Sequence, residues 1–350
     1  MKAWAENKNL KTNCCSIIRR SAFLKIFFSG ILVTCNLTVS LAQLIPGFKQ
    51  TGSFDEQGLT IKEPWDNVVV NINAALQFNP KGKTYLVFYA LPNGNNIEWT
   101  KGKKLKEGDD WHFDIQHIAA QTRFVRNLDN KNNYIVAYLM AAQKSWPAWK
   151  RSTADSIYII KQIVDSITNL FKTYNPKIVL NGHSGGGSFI FGYLDAVEEI
   201  PYNIERIAFL DSDYGYEETN HKNKLIDWLQ QSKSNKLLVL AYNDSVVIYN
   251  GKPLVSPTGG TWYRSRLMQG NLSEAFQFNT KIDTSFILHE ALDERILFKL
   301  KQNPGALIYH TEQVAKNGFI LSLLSATKYK QKKYFIYFGE RNYKEYISDQ

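Results

Sequence analysis

Apolar residues along this chain fall into short unbroken runs that alternate with stretches of helical period. Val68-Val69-Val70-Asn71-Ile72-Asn73 predicts a first strand. The nearly continuous apolar runs at 85–90, 134–140, 177–181, 206–210 and 236–241 predict strands buried on both faces. Between them, Phe113, Ile115, Ile118, Ala119, Phe124 and Val125 predict a helix over 111–126. Ile157, Ile160, Ile163, Ile167, Leu170 and Phe171 predict another over 152–174, closed by Pro176. Shorter helices are expected at 185–197, 223–231 and 319–324, and a last strand at 306–309. Such alternation implies an α/β fold: a mostly parallel, twisted sheet covered by helices on both faces. Residues 43–65 are polar and turn-rich and read as an N-terminal extension to a single domain over 66–350. The stretch 245–275 lacks clear periodicity and reads as an insertion after the strand at 236–241.

The first forty-odd residues differ from the rest. Arg19, Arg20 and Lys25 precede an apolar run from Ile26 to Val39, and Ser40-Leu41-Ala42 supplies small residues for cleavage. That pattern is a secretory signal peptide over 1–42, with a periplasmic or secreted product. The run falls short of the roughly twenty apolar residues that cross a bilayer, so no stable membrane span is expected after cleavage. A lipid anchor at Cys35 is the lesser alternative, because Thr34 stands where a lipoprotein cleavage box has Gly, Ala or Ser. All three cysteines, Cys14, Cys15 and Cys35, lie in this leader, which excludes disulfides and a cysteine nucleophile from the mature chain. Half of the formal net charge of +10 lies there too. The remaining charges are mixed, and no nucleic-acid partner is expected.

Candidate chemistry concentrates in Asn181-Gly182-His183-Ser184-Gly185-Gly186-Gly187. Gly182-His183-Ser184-Gly185-Gly186 fits G-x-S-x-G between a predicted strand and a predicted helix. A P-loop would need Lys after its last glycine, and a dinucleotide fingerprint would need glycine where Ile190 stands. The stretch resembles the nucleophile elbow of the α/β-hydrolases, which makes Ser184 the expected nucleophile.

That resemblance implies the remaining assignments. The base is a histidine after the last strand, which selects His310, with His289 the runner-up. The acid follows the strand after next from the elbow, which selects Asp244; Asp211 or Asp213, one strand earlier, are the alternatives. Two backbone donors form the oxyanion hole, from Gly185 and from Ala90 or Leu91, with Leu91 taken first. Trp146, Trp149, Trp262 and Arg264 are expected to line a substrate cleft. No metal constellation appears and no cofactor is implied.

The resulting expectation is an exported serine hydrolase acting on esters through an acyl-enzyme. Its substrate would be a small molecule, a glycan ester or a peptide. A peptidase or amidase, or a non-catalytic glycan- or peptide-binding protein on a hydrolase scaffold, are the alternatives.

Overall fold

The computed structural model describes residues 44–349, apart from 53, 66 and 331. The expected signal peptide, its cleavage point and Cys35 lie outside these residues. The strands are β1 (Lys49–Thr51), β2 (Glu56–Ile61), β3 (Val68–Ala75), β4 (Thr84–Ala90), β5 (Asn133–Ala141), β6 (Lys177–His183), β7 (Ile204–Leu210) and β8 (Lys236–Tyr242). They continue with β9 (Ile248–Tyr249), β10 (Lys252–Pro253), β11 (Asn279–Ile282), β12 (Phe286–Ala291) and β13 (Ile296–Lys301). Helices α1 (Ile97–Lys101), α2 (Ile118–Leu128), α3 (Trp146–Ser152), α4 (Ser156–Leu170) and α5 (Gly187–Ala196) come first. Then follow α6 (Glu218–Gln231), α7 (Thr261–Leu272), α8 (Glu312–Ala315) and α9 (Gly318–Leu324).

Eleven strands form one sheet in the order β1-β2-β3-β5-β4-β6-β7-β8-β13-β12-β11. The run from β5 through β4, β6, β7 and β8 to β13 is parallel, and antiparallel strands extend it at both sides. Because successive side chains of a strand point to opposite faces, β4 divides its apolar residues between two cores. Leu86, Phe88 and Ala90 pack on one side with Ile160 of α4 and Ile190 of α5. Val87 and Tyr89 pack on the other with Ile118 of α2 and Phe319 of α9. The predicted doubly covered sheet is thus the observed one.

Several boundaries differ from expectation for identifiable reasons. The N-terminal extension joins the sheet: β2 pairs antiparallel with both β1 and β3, and Gln57 is buried, its Oε1 accepting from Ile45 N at 2.7 Å. The helix expected over 152–174 is α4 alone, which starts only at Ser156 because Asp155 takes a left-handed backbone (φ 52°), and ends at Leu170. No strand forms at 306–309. There the Asn303 side chain bonds both Leu307 N (3.0 Å) and Leu307 O (2.8 Å), satisfying locally the groups a ladder would use. The last parallel strand is β13 instead. Inside the predicted insertion lies α7, a twelve-residue helix that buries Thr261, Ser265 and Asn271 beside Met268 and Leu272. A helix with hydroxyls and an amide on its inner face carries no apolar period to read.

Candidate active site

Strand β6, the central strand of the sheet, ends at His183, and α5 begins at Gly187. Ser184 joins them with φ 55°, a left-handed backbone that a residue with a Cβ adopts at a cost of about 1–2 kcal/mol. The turn persists because its surroundings leave no alternative path. A Cβ on Gly186 would overlap Ala90 O at the end of β4, and one on Gly187 would overlap Ser212 O just beyond β7. Ser212 also donates its hydroxyl to Gly182 O at 2.9 Å, tying the end of β7 to the elbow. Ser184 is thereby presented half-buried at the carboxyl edge of the sheet, at the first turn of a helix.

His310 lies on the loop between β13 and α8, and its Nδ1 is hydrogen-bonded to Asp211 Oδ2. Asp211 is fully buried, while the His310 side chain retains 25% exposure. The acid follows β7 directly in a left-handed turn (φ 51°), a conformation Asp tolerates better than most residues. Its backbone N–H is held by Leu240 O at 2.7 Å. With Nδ1 engaged, Nε2 of His310 is the ring nitrogen left for proton transfer; among the described residues it makes no hydrogen bond, to Ser184 or otherwise. His183, next to Ser184, donates Nε2–H to His310 O at 3.1 Å, and the two rings lie 4.6 Å apart. Burial, and secondarily the neighbouring His310, hold the His183 imidazole well below its ordinary pKa, so it serves as a neutral donor. His289, on β12, is four strands from β6, about 19 Å at the usual strand spacing.

The histidine is therefore partnered by Asp211 and not by Asp244. Asp244 is buried nearby, but its Oδ2 accepts from Thr261 N at 2.9 Å and it does not touch His310. Burial, then the charge of Asp211, push the Asp244 carboxyl up to about 6. Asp213, the other alternative, accepts from Ser265 Oγ at 2.8 Å, and burial pushes its carboxyl well above the usual range.

A cavity of about 520 Å³ opens beside Ser184 and Gly185. Phe191 and Pro147 give it apolar wall, Lys150, Asp195 and Glu217 a charged end, and His221 lines it too. None of the four residues expected to line a cleft does so. Trp146 and Trp149 are each 1% exposed, packed edge-to-face at 5.4 Å in the core, with Trp146 Nε1 on Leu139 O. Trp262 packs against the same core, and Arg264 donates to Tyr216 O at 2.8 Å. Leu91 is also unsuited to its expected role, since its N–H already donates to Leu139 O at 3.1 Å. Asn93, two residues on, lies against Gly185 in the cavity wall, and its N–H has no partner among the described residues.

Sequence reasoning missed the pair His221 and Asp195, which are joined at 3.0 Å and line the cavity. Both nitrogens of His221 are occupied, because Nδ1 accepts from Glu217 N at 2.9 Å. This ring therefore has no free nitrogen for Ser184, which separates it from His310. Among the described residues no cluster of His, Cys, Asp and Glu is arranged to hold a metal, and no helix is long and apolar enough to cross a membrane.

The strand order and the turn at Ser184 decide the architecture. The fold is α/β-hydrolase-like. No family model and no curated protein matches the chain. Among solved structures it is similar to the feruloyl esterase module from Clostridium thermocellum, in a mutant form complexed with sinapinate. The identity is 8%, the TM-score 0.48, and the match covers 82% of this chain and 90% of that one. It is similar too to poly(aspartic acid) hydrolase-1 from Sphingomonas sp. KT-1, at 12% identity and TM-score 0.45 over 80% and 100% of the two chains. A siderophore hydrolase from Aspergillus nidulans gives 12% and 0.42 over 82% and 99%.

Proposed function

We propose that the protein is an exported serine hydrolase that cleaves carboxylic esters, with Ser184 as nucleophile, His310 as base and Asp211 as acid. The observation that carries the reading is the left-handed Ser184 at the strand–helix turn, with His310 on the loop after β13 paired to the buried Asp211 after β7. A serine hydroxyl attacks a carbonyl only when a base takes its proton. His310 Nε2 accepts that proton, while the carboxylate on Nδ1 fixes the tautomer and offsets the positive charge on the ring. The carbonyl oxygen gains negative charge as the bond to Ser184 Oγ forms. Gly185 N–H and Asn93 N–H are the donors for it, Asn93 taking the place of Leu91. Collapse expels the alcohol with the proton from His310, and water then repeats the sequence to release the acid. The cavity beside Ser184 takes one side of the ester, with Phe191 and Pro147 against apolar groups and Lys150, Asp195 and Glu217 against polar ones.

A panel of aryl and alkyl esters and matched amides tests this on the wild type and on Ser184→Ala. Ester turnover that disappears in the variant is the expected result. Equal turnover by the two proteins, or amide cleavage without ester cleavage, overturns the proposal.

A further inference from the structure

Asp211 has two carboxylate oxygens, and only Oδ2 is engaged by His310. The torsion that sets the plane of an aspartate carboxylate is broad, so a single hydrogen bond leaves that plane free to swing. A second bond fixes it: Thr261 Oγ1 donates to Asp211 Oδ1 at 2.5 Å, with both groups fully buried. Thr261 is the first residue of α7, and its own position is set by Asp244, whose Oδ2 accepts from Thr261 N at 2.9 Å. Asp244 reaches that N–H because the residue before Thr261 is Gly260, where any Cβ would overlap the carboxylate. One turn on along the same face, Ser265 donates to Asp213 at 2.8 Å, so α7 presents two hydroxyls to the loop that carries the acid.

We infer that Thr261 is a positioning residue, whose hydroxyl holds the Asp211 carboxylate in line with His310 and is itself held in place by Asp244. The inference rests on the proposed roles of His310 and Asp211, but the geometry behind it is independent of any substrate. It also gives Asp244 a task. The carboxyl just beyond β8 acts on the histidine indirectly, through Thr261 and Asp211.

The test compares Thr261→Val, which keeps the branched shape and removes the hydroxyl, with Thr261→Ser, which restores it. Ser265→Ala controls for loss of a like bond on the same helix. Steady-state turnover of an aryl ester is read alongside the nitrogen NMR shifts of the His310 ring, assigned with His310→Gln. In Thr261→Val, kcat falls on the order of 10- to 100-fold with KM within about twofold, as expected for losing a hydrogen bond to a charged group. The His310 Nδ1 resonance moves in the same variant. Thr261→Ser recovers both, and Ser265→Ala leaves the resonance in place. If Thr261→Val does not fold, Thr261→Cys, a weaker donor, shows the same changes at smaller size.

An unmoved resonance with unchanged kcat in folded Thr261→Val overturns the inference. So does a Ser265→Ala variant that shifts the resonance as far as Thr261→Val, since packing of α7 would then be the cause. Should Ser184→Ala retain wild-type turnover, the assignment of Ser184 as nucleophile fails while the NMR comparison still decides the role of Thr261.

Discussion

Replacing Asp211 by Asn, and separately Asp244 by Asn, distinguishes the two acids by size of effect. Asp211 is fully buried, gives one oxygen to His310 Nδ1 and the other to Thr261 Oγ1. In Asp211→Asn the group facing Nδ1 is either a neutral oxygen or an amide donor. The second forces the ring into the tautomer that carries its proton on Nε2, where the base must accept one. The corresponding substitution in a serine protease triad, a worked example of this chemistry, lowers kcat by about 10⁴-fold. A loss of roughly 10³- to 10⁴-fold, or about 4–5.5 kcal/mol, is therefore expected here. Asp244→Asn keeps an oxygen for Thr261 N and leaves the His310–Asp211 bond intact, so kcat falls by no more than about tenfold. Aryl ester turnover by both folded variants, matched by melting temperature and circular dichroism, is the assay. Equal losses, or a larger loss in Asp244→Asn, would refute the assignment of Asp211 and return the role to Asp244.

Further expectations follow from single observations. The Asp244 carboxyl is raised to about 6 in the folded protein from an ordinary 3.8, so folding favours its protonated form. Stability attributable to this group is full below about pH 4 and declines as pH rises through about 6, by up to about 3 kcal/mol. The melting temperature of Asp244→Asn relative to wild type should accordingly rise across that window; a difference independent of pH contradicts the shift. Gly187→Ala places a Cβ on Ser212 O and should cost about 3 kcal/mol of stability or more, seen as a sharp drop in soluble yield or melting temperature. Trp146→Phe removes the bond to Leu139 O in the core and should cost roughly 1–2 kcal/mol with KM unchanged; a raised KM at wild-type stability would restore a cleft role. Lys150→Met, at the charged end of the cavity, should alter KM across a panel of substituted esters while labelling of Ser184 persists. A uniform KM would exclude that end from binding.

The central sheet and the elbow were legible because each has a local cause. Buried parallel strands such as β4 and β6 read as unbroken apolar runs, and G-x-S-x-G records the lack of room around Ser184. Choosing between Asp211 and Asp244 was not a local matter. Both follow parallel strands, and the decision lies in where the loop after β13 delivers His310, which depends on Asn303 tying that loop rather than letting it pair as a strand. The tryptophans misled for a similar reason. Trp146 and Trp149 follow β5 where a cleft was expected, yet α3 buries both in the core, Trp146 edge-on to Phe189. Helix α7 stayed hidden because its inner face carries hydroxyls whose partners are the buried aspartates.

The central claim is that Ser184 is a nucleophile activated by its surroundings, and covalent labelling tests it most directly. Folded wild-type protein incubated with a fluorophosphonate should gain one adduct by intact mass, mapped to Ser184 after digestion. Ser184→Ala should gain none, and His310→Ala should label far more slowly. A wild type that takes up no probe, or an adduct that persists in Ser184→Ala, would contradict the account.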